Sequence, residues 1–273
     1  MPRLRLTLEY DGGPFVGWQV QPNGRSLQAV VEGALGRLLD APIRVSSAGR
    51  TDAGVHAEGQ VVSFTTERSL PLKAYVQGLN SLLPSEVAVR HAAEVPEAFD
   101  PRRWALGKRY RYRISNLPTR SPLLRRTHWE VHAPLDVQVM REAASRLIGR
   151  HDFSAFRAAD CQAKHAVREI TRMDLEGDSG GILTVTVEGT AFLKHMVRNL
   201  VGTLVEVGRG ARRAEWVGAV LASKDRRQAG KTAPAHGLCL VEVFYGDGPR
   251  PGQNPDEEDA VAEVVTAVEG AAQ

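Results

Sequence analysis

The sequence predicts an α+β protein built on antiparallel sheet, and three observations carry that expectation. Period-two and 3.6-period apolar runs both recur, but without strict strand–helix–strand alternation. Strand-like runs are joined by short glycine-containing breaks of hairpin type, most plainly Val167–Leu175 and Ile182–Glu188 around Gly177–Gly181. The order of elements in the first half also repeats in outline in the second. Two related subdomains are therefore expected, over 1–104 and 105–246, joined within Glu97–Gly107.

Taken in order, Leu4–Tyr10 alternates at period two and reads as a strand closed by the turn Asp11-Gly12-Gly13-Pro14. Ser26 has the chemistry of an N-cap. Behind it Leu27, Val30, Val31, Ala34, Leu35, Leu38 and Leu39 repeat on one helical face, ended by Asp40-Ala41-Pro42. Strands are expected over Ile43–Ser47, Gln60–Thr65 and Val87–Ala93, with a helix over Leu72–Leu82. In the second half Tyr110–Ser115 and Thr127–Val131 read as strands and Asp136–Ile148 as a helix. After the hairpin come helices over Phe192–Val207 and Ala214–Ser223, and a closing strand over Leu238–Tyr245. The segment 247–273 turns to Gly, Pro and acids; it is expected to be largely disordered, with a weak helix over Ala260–Val268.

Composition narrows the function classes. Apolar residues make up 42% and charged residues 25% of 273, ordinary values for a soluble globular chain. No run of eighteen apolar residues exists to span a membrane, and Met1–Arg5 lacks the apolar stretch of a signal peptide. Two distant cysteines, Cys161 and Cys239, read as reduced thiols of a cytoplasmic protein. The formal charge of +3 conceals an asymmetry: from Asp247 onward seven acids face Arg250 alone, so the body is more basic than the total implies. Pro101–Arg126 holds nine Lys or Arg residues and no acid. Such a field favours a polyanion, although a solvated basic face has the same composition.

Three segments carry candidate chemistry. In Gly49-Arg50-Thr51-Asp52-Ala53-Gly54-Val55-His56-Ala57 two glycines bracket a carboxylate, a tight loop able to project Asp52 into a cleft; an ordinary Asp/Gly turn has the same local signature. In Lys108-Arg109-Tyr110-Arg111-Tyr112-Arg113 strand alternation sends Tyr110 and Tyr112 to one face and Arg109, Arg111 and Arg113 to the other. Aromatics on one face can stack a base and arginines can meet phosphates, while core packing of the tyrosines remains open. In Phe192–Asn199 the helical reading places Lys194 and Arg198 on one face beside His195, either as a solvated stripe or as an anchor for phosphate or a carboxylate. Cys161-x3-His165 and His128-x3-His132 lack the second ligand pair of a closed zinc site. Neither a P-loop, a dinucleotide glycine fingerprint nor a G-x-S-x-G elbow occurs, so neither a cofactor nor a metal is expected.

Together these segments resemble the tRNA pseudouridine synthase A family. The resemblance runs through Ala48–His56, Leu8–Gly12 with Gly17-Trp18-Gln19, Lys108–Tyr112, His195–Asn199 and Gly237–Val243, in matching order over about residues 3–245. It implies two ferredoxin-like subdomains sharing an extended antiparallel sheet with a central catalytic cleft, and a homodimer. It implies isomerisation of uridine to pseudouridine in the tRNA anticodon stem-loop, at tRNA positions 38, 39 and 40. The family's nucleophile falls on Asp52, its active-site tyrosine on Tyr110, the arginine paired with the aspartate on Arg198, and its signature arginine on Arg50. Arg109, Arg111, Lys194 and His195 are the further candidates for RNA contact.

The chemistry is consistent with those assignments. Breaking the N-glycosidic bond and rejoining the ring through carbon involves no net redox change, so one ionised carboxylate suffices, attacking ribose C1′ or uracil C6. The base must leave its stack, and an aromatic ring can hold it. Two other classes fit parts of the pattern. A non-catalytic RNA-binding protein with two RRM-like halves explains the basic body and not the Asp52 loop. An RNA N-glycosidase would use Asp52 with a second carboxylate such as Glu58.

Overall fold

The computed structural model describes residues 1–248, so all but the first two residues of the acidic tail, and the weak helix expected within it, lie outside the described residues. The strands are β1 (Arg3–Tyr10), β2 (Ser46–Ser47), β3 (His56–Thr65), β4 (Val87–Val95), β5 (Ala105–Ser115), β6 (Trp129–Glu130), β7 (Gly149–Asp152), β8 (Val167–Glu176), β9 (Ile182–Gly189) and β10 (Leu238–Tyr245). The helices are α1 (Leu27–Leu39), α2 (Leu72–Leu82), α3 (Val137–Ser145), α4 (Met196–Gly208) and α5 (Glu215–Ser223). None of them is long and apolar enough to cross a membrane.

The strands form one sheet in the order β4-β1-β3-β10-β5-β9-β8-β7, with β2 against β3 and β6 against β5. The order β4-β1-β3 with β2 in the first half returns as β10-β5-β9-β8 in the second, the ferredoxin-like arrangement twice over. Local chemistry accounts for the elements. Leu4, Leu6 and Leu8 of β1, Tyr110, Tyr112 and Ile114 of β5, and Leu183, Val185 and Val187 of β9 are buried at alternate positions. Helix α1 starts where the Ser26 hydroxyl accepts from Ala29 N–H and ends at Asp40, which takes a left-handed conformation at φ 54°. Its stripe Leu27, Val31, Ala34, Leu35 and Leu39 enters the same continuous core as the inward strand residues.

The two halves meet along a seam that differs from expectation. All pairings are antiparallel except β5 with β6 and β3 with β10, and the latter, Cys239 with His56 and Leu240 with Ala57, is the joint. On its other side Leu240 lies opposite Tyr110 of β5. One row of the sheet thus runs from the end of the Asp52 loop through β10 to Tyr110.

Other departures have local causes. Only Ser46–Ser47 of the strand expected over Ile43–Ser47 pairs with β3, because Val45 N–H is taken by the Glu32 carboxylate at 3.1 Å. The helix expected to reach Ile148 stops at Ser145, and Gly149 at φ 108° opens β7 along the outer edge of β8. Of Thr127–Val131 only Trp129–Glu130 is strand.

A Cβ on Gly59 would stand 2.3 Å from the Val241 carbonyl oxygen across the seam, and backbone cannot yield there. Gly59→Ala is expected to lower the urea midpoint by the equivalent of about 1–3 kcal/mol, measured by equilibrium unfolding.

Candidate active site

The loop between β2 and β3 is fastened from both sides. Ala48 N–H donates to Val61 O at 2.8 Å, and the buried Gln60 amide donates to Gly49 O at 2.7 Å. The Thr51 hydroxyl meets Tyr10 Oη at 2.8 Å, and Trp18 N–H donates to Thr51 O at 3.0 Å. Residues 12–18 form a strap that bridges Gly17 to Asp52. Gly17 is required there: its φ is 112°, and a Cβ would lie 3.0 Å from Thr51 O. Val55 N–H closes the turn on Asp52 O at 3.1 Å. With its backbone held, Asp52 turns its carboxylate outward, where 24% of the side chain is exposed.

Arg198, in the first turn of α4, places Nη1 3.4 Å from Asp52 Oδ2. Its guanidinium is aimed by a second bond, Nε to Ala233 O at 2.8 Å, and Ala233 N–H returns one to Arg198 O at 3.1 Å. The segment 229–233 is held in turn by Arg226, which donates to Ala229 O, Gly230 O, Asn199 Oδ1 and Thr232 Oγ1. His195 Nε2 lies 3.5 Å from the same Asp52 oxygen. Burial holds its imidazole below the ordinary histidine value; Asp52 opposes that shift and Arg198 adds to it.

Asp52 and His195 line a cleft of about 770 Å³. Tyr110 lies in it, its ring edge-on to Phe192 at 5.1 Å. Burial raises its phenol well above the usual range, and among the described residues its hydroxyl has no hydrogen-bond partner. Arg50, Arg102, Lys108, Arg168 and Lys194 line the cleft against two carboxylates, Asp52 and Asp160. Lys194 Nζ sits 2.6 Å from Asp160 Oδ2, and that bond holds Asp160 below the usual carboxylate range. An excess of fixed cations around an open, partly apolar cleft suits a polyanion that inserts a planar group.

The structure brings together Asp52, Tyr110, Arg198, Arg50, Lys194 and His195 among the expected residues. It does not bring Arg109 and Arg111. They lie on the opposite face of β5, where Arg109 pairs with Glu188 at 2.8 Å and Glu242 at 2.9 Å and Arg111 pairs with Glu58. Tyr112, expected beside Tyr110, is core: its hydroxyl donates to Pro234 O and its ring is edge-on to Trp129. Helix α4 begins at Met196, not Phe192, so Lys194 and His195 precede it and do not share a helical face with Arg198. The reason is that Lys194 O accepts from Ala158 N–H and His195 takes φ 63°. Glu58 is bound to Arg111 in a separate groove, so no second carboxylate of the kind an N-glycosidase needs faces Asp52 from β3. Lys108 is legible from its parity with Tyr110 on β5 and Arg102 only from its place in the basic run Pro101–Arg126; Arg168 and Asp160 carry no sequence signal.

Two ferredoxin-like halves presenting a carboxylate beside arginine and tyrosine in a basic cleft define a protein that handles nucleic acid by side-chain chemistry. A profile described as tRNA pseudouridine synthase matches residues 7–102 and 143–246. The chain belongs to the tRNA pseudouridine synthase family. It is 67% identical to tRNA pseudouridine synthase A of Myxococcus xanthus over 95% of this chain and 99% of that protein. It is 54% identical to tRNA pseudouridine synthase A of Syntrophotalea carbinolica over 90% and 97%.

Since Asp52 favours the imidazolium of His195 and burial disfavours it, removing the carboxylate leaves only depressing influences nearby apart from Asp160. An NMR titration should give His195 a midpoint below the ordinary value of about 6.5, and Asp52→Asn should move it lower still. An upward move would contradict this geometry.

Proposed function

We propose that the chain isomerises uridine to pseudouridine in tRNA, with Asp52 as the nucleophile. The observation that carries this reading is the Asp52 carboxylate, offered to a basic cleft between Arg198 and Tyr110. In this reaction Asp52 adds to the target nucleotide at ribose C1′ or uracil C6, and the N1–C1′ bond breaks. The uracil turns, C5 bonds to C1′, the bond to Asp52 breaks and restores the free carboxylate, the C5 proton leaves, and N1 takes a proton. Atoms and electrons balance without an oxidant or an external group.

Each neighbour has a part in that sequence. Arg198 holds the Asp52 oxygen in place and offsets its charge, and the two hydrogen bonds its guanidinium donates, to Ala233 O and to Asp52 Oδ2, fix the angle. Tyr110, held edge-on by Phe192, presents a ring against which an extruded uracil packs. Arg50 and Lys194 meet the flanking phosphates, and His195, kept neutral by burial, contacts the nucleotide beside the carboxylate. Arg109 and Arg111, engaged with glutamates on the far face, are left out of this reading. The substrate site is the anticodon stem-loop, at positions 38, 39 and 40. The protein acts in the cytoplasm as a homodimer of chains with units over 1–104 and 105–246.

Asp52→Ala is expected to abolish tritium release from C5-labelled tRNA while leaving tRNA affinity within about threefold, since the phosphate contacts remain. Residual turnover would refute the nucleophile. Carbodiimide mapping of tRNA from cells lacking the gene should lose its signals in the anticodon arm; unchanged signals there would refute the substrate site. Light scattering should return twice the 29.8 kDa chain mass, and a monomer would refute the dimer.

A further inference from the structure

His56 closes the Asp52 loop yet points into a different groove, of about 330 Å³. Its side chain is 11% exposed and both ring nitrogens are engaged. Nε2 lies 2.9 Å from Arg126 O and 3.1 Å from His236 O. Carbonyl oxygens only accept, so Nε2 carries a proton. Nδ1 lies 3.2 Å from the backbone N of Gly12 and 3.1 Å from Asp11 Oδ1. The Gly12 amide can only donate, and so needs the Nδ1 lone pair; the Asp11 carboxylate can only accept, and so needs an Nδ1 proton. The neutral imidazole therefore holds Gly12, whereas the imidazolium turns to Asp11 and leaves the Gly12 N–H without that acceptor.

The Gly12 contact reaches Asp52 through backbone alone. A Cβ on Gly12 would stand 2.0 Å from Val55 O, so strap and turn are in direct contact there. Val55 N–H donates to Asp52 O, and Gly12 O accepts from Phe15 N–H at 3.1 Å as the strap runs on to the Gly17 bridge with Asp52. Asp52 is thus held by Val55 and by Gly17, and His56 Nδ1 fastens the Gly12 end of the strap that meets both.

We propose that His56 is a positioning residue for the reaction at Asp52, acting through its Nδ1 bond to the Gly12 amide. The proposal rests on the reading of Asp52 as the nucleophile. The other charged groups of the groove, Glu9, Glu58, Glu86 and Arg113, stay in place in every variant below, with His236 held to His128 O through Nε2. The Cys239 thiol is pushed up to about 12 by burial and stays neutral.

Two amide side chains separate the two ends of the ring. Asparagine reaches the Nδ1 position and keeps an acceptor for Gly12; glutamine reaches the Nε2 position and keeps only the donor to Arg126 O and His236 O. His56→Ala and His56→Gln are expected to lower kcat about tenfold with KM within twofold, because sub-ångström misplacement of a reacting group acts on the chemical step. His56→Asn should recover most of that loss although it melts lower than His56→Gln. Equal kcat in the Asn and Gln variants, a change in KM alone, or kcat losses that simply follow Tm would overturn the proposal. Hydrogen exchange decides independently, even where a substitution of His56 fails to fold: the Gly12 amide of the unaltered chain should be protected by its bond to Nδ1, and exchange as fast as in an open loop overturns the proposal. Turnover by Asp52→Ala would instead refute the nucleophile itself, whatever the His56 variants do.

Discussion

His56 and Ala57 of β3 run parallel to Cys239 and Leu240 of β10, and everything chemical in the molecule is arranged around that two-residue contact. The loop carrying Asp52 ends at the first of these strands. The segment 229–233, whose Ala233 carbonyl aims Arg198, runs into the second. Leu240 faces Ala57 on one side and Tyr110 on the other, so the register of one short pairing sets the spacing of all three groups. Gly59 lets the seam close, since only a residue without Cβ tolerates Val241 O at that distance.

The second requirement is that buried polar groups find partners, because an unpaired one costs more than a made bond contributes. Around α4 this is met densely. Asn199 donates to Phe156 O and accepts from Arg226 and Thr232; Thr203 donates to Asn199 O and accepts from Gly230 N–H. The network locks segment 229–233 against the helix, and the lock is what makes Ala233 O a fixed point from which Arg198 is directed. Burial of Arg226 pulls its guanidinium below the usual arginine value, a penalty its four acceptors offset.

Charge counted along the chain overstated the basic surface. Of the cations on β5, Lys108 faces the cleft, while Arg109, Arg111 and Arg113 face the other side of the sheet, within reach of Glu188, Glu242 and Glu58. Those glutamates come from β9, β10 and β3. An arginine row that looks free in sequence becomes part of a cross-strand ladder once its neighbours are in place, and the cations lining the cleft come instead from residues such as Arg50, Lys108 and Lys194.

By itself the sequence determined what short-range forces decide. Period and capping gave α1 from Leu27 to Leu39, α2 from Leu72 to Leu82 and β10 from Leu238 to Tyr245 at the residues observed, because turn chemistry and apolar spacing act within a few residues. The Asp52 loop and the face-splitting of β5 were legible for the same reason. Tertiary structure alone decided the parallel sense of the seam, the late start of α4 at Met196 and the fate of Arg109 and Arg111. Each depends on a partner far away in the chain: His56 meets Cys239, Lys194 O is claimed by Ala158, and Arg109 is claimed by Glu188 and Glu242. Pairing across such separations is chosen by the packing of the whole sheet, and no local pattern encodes it.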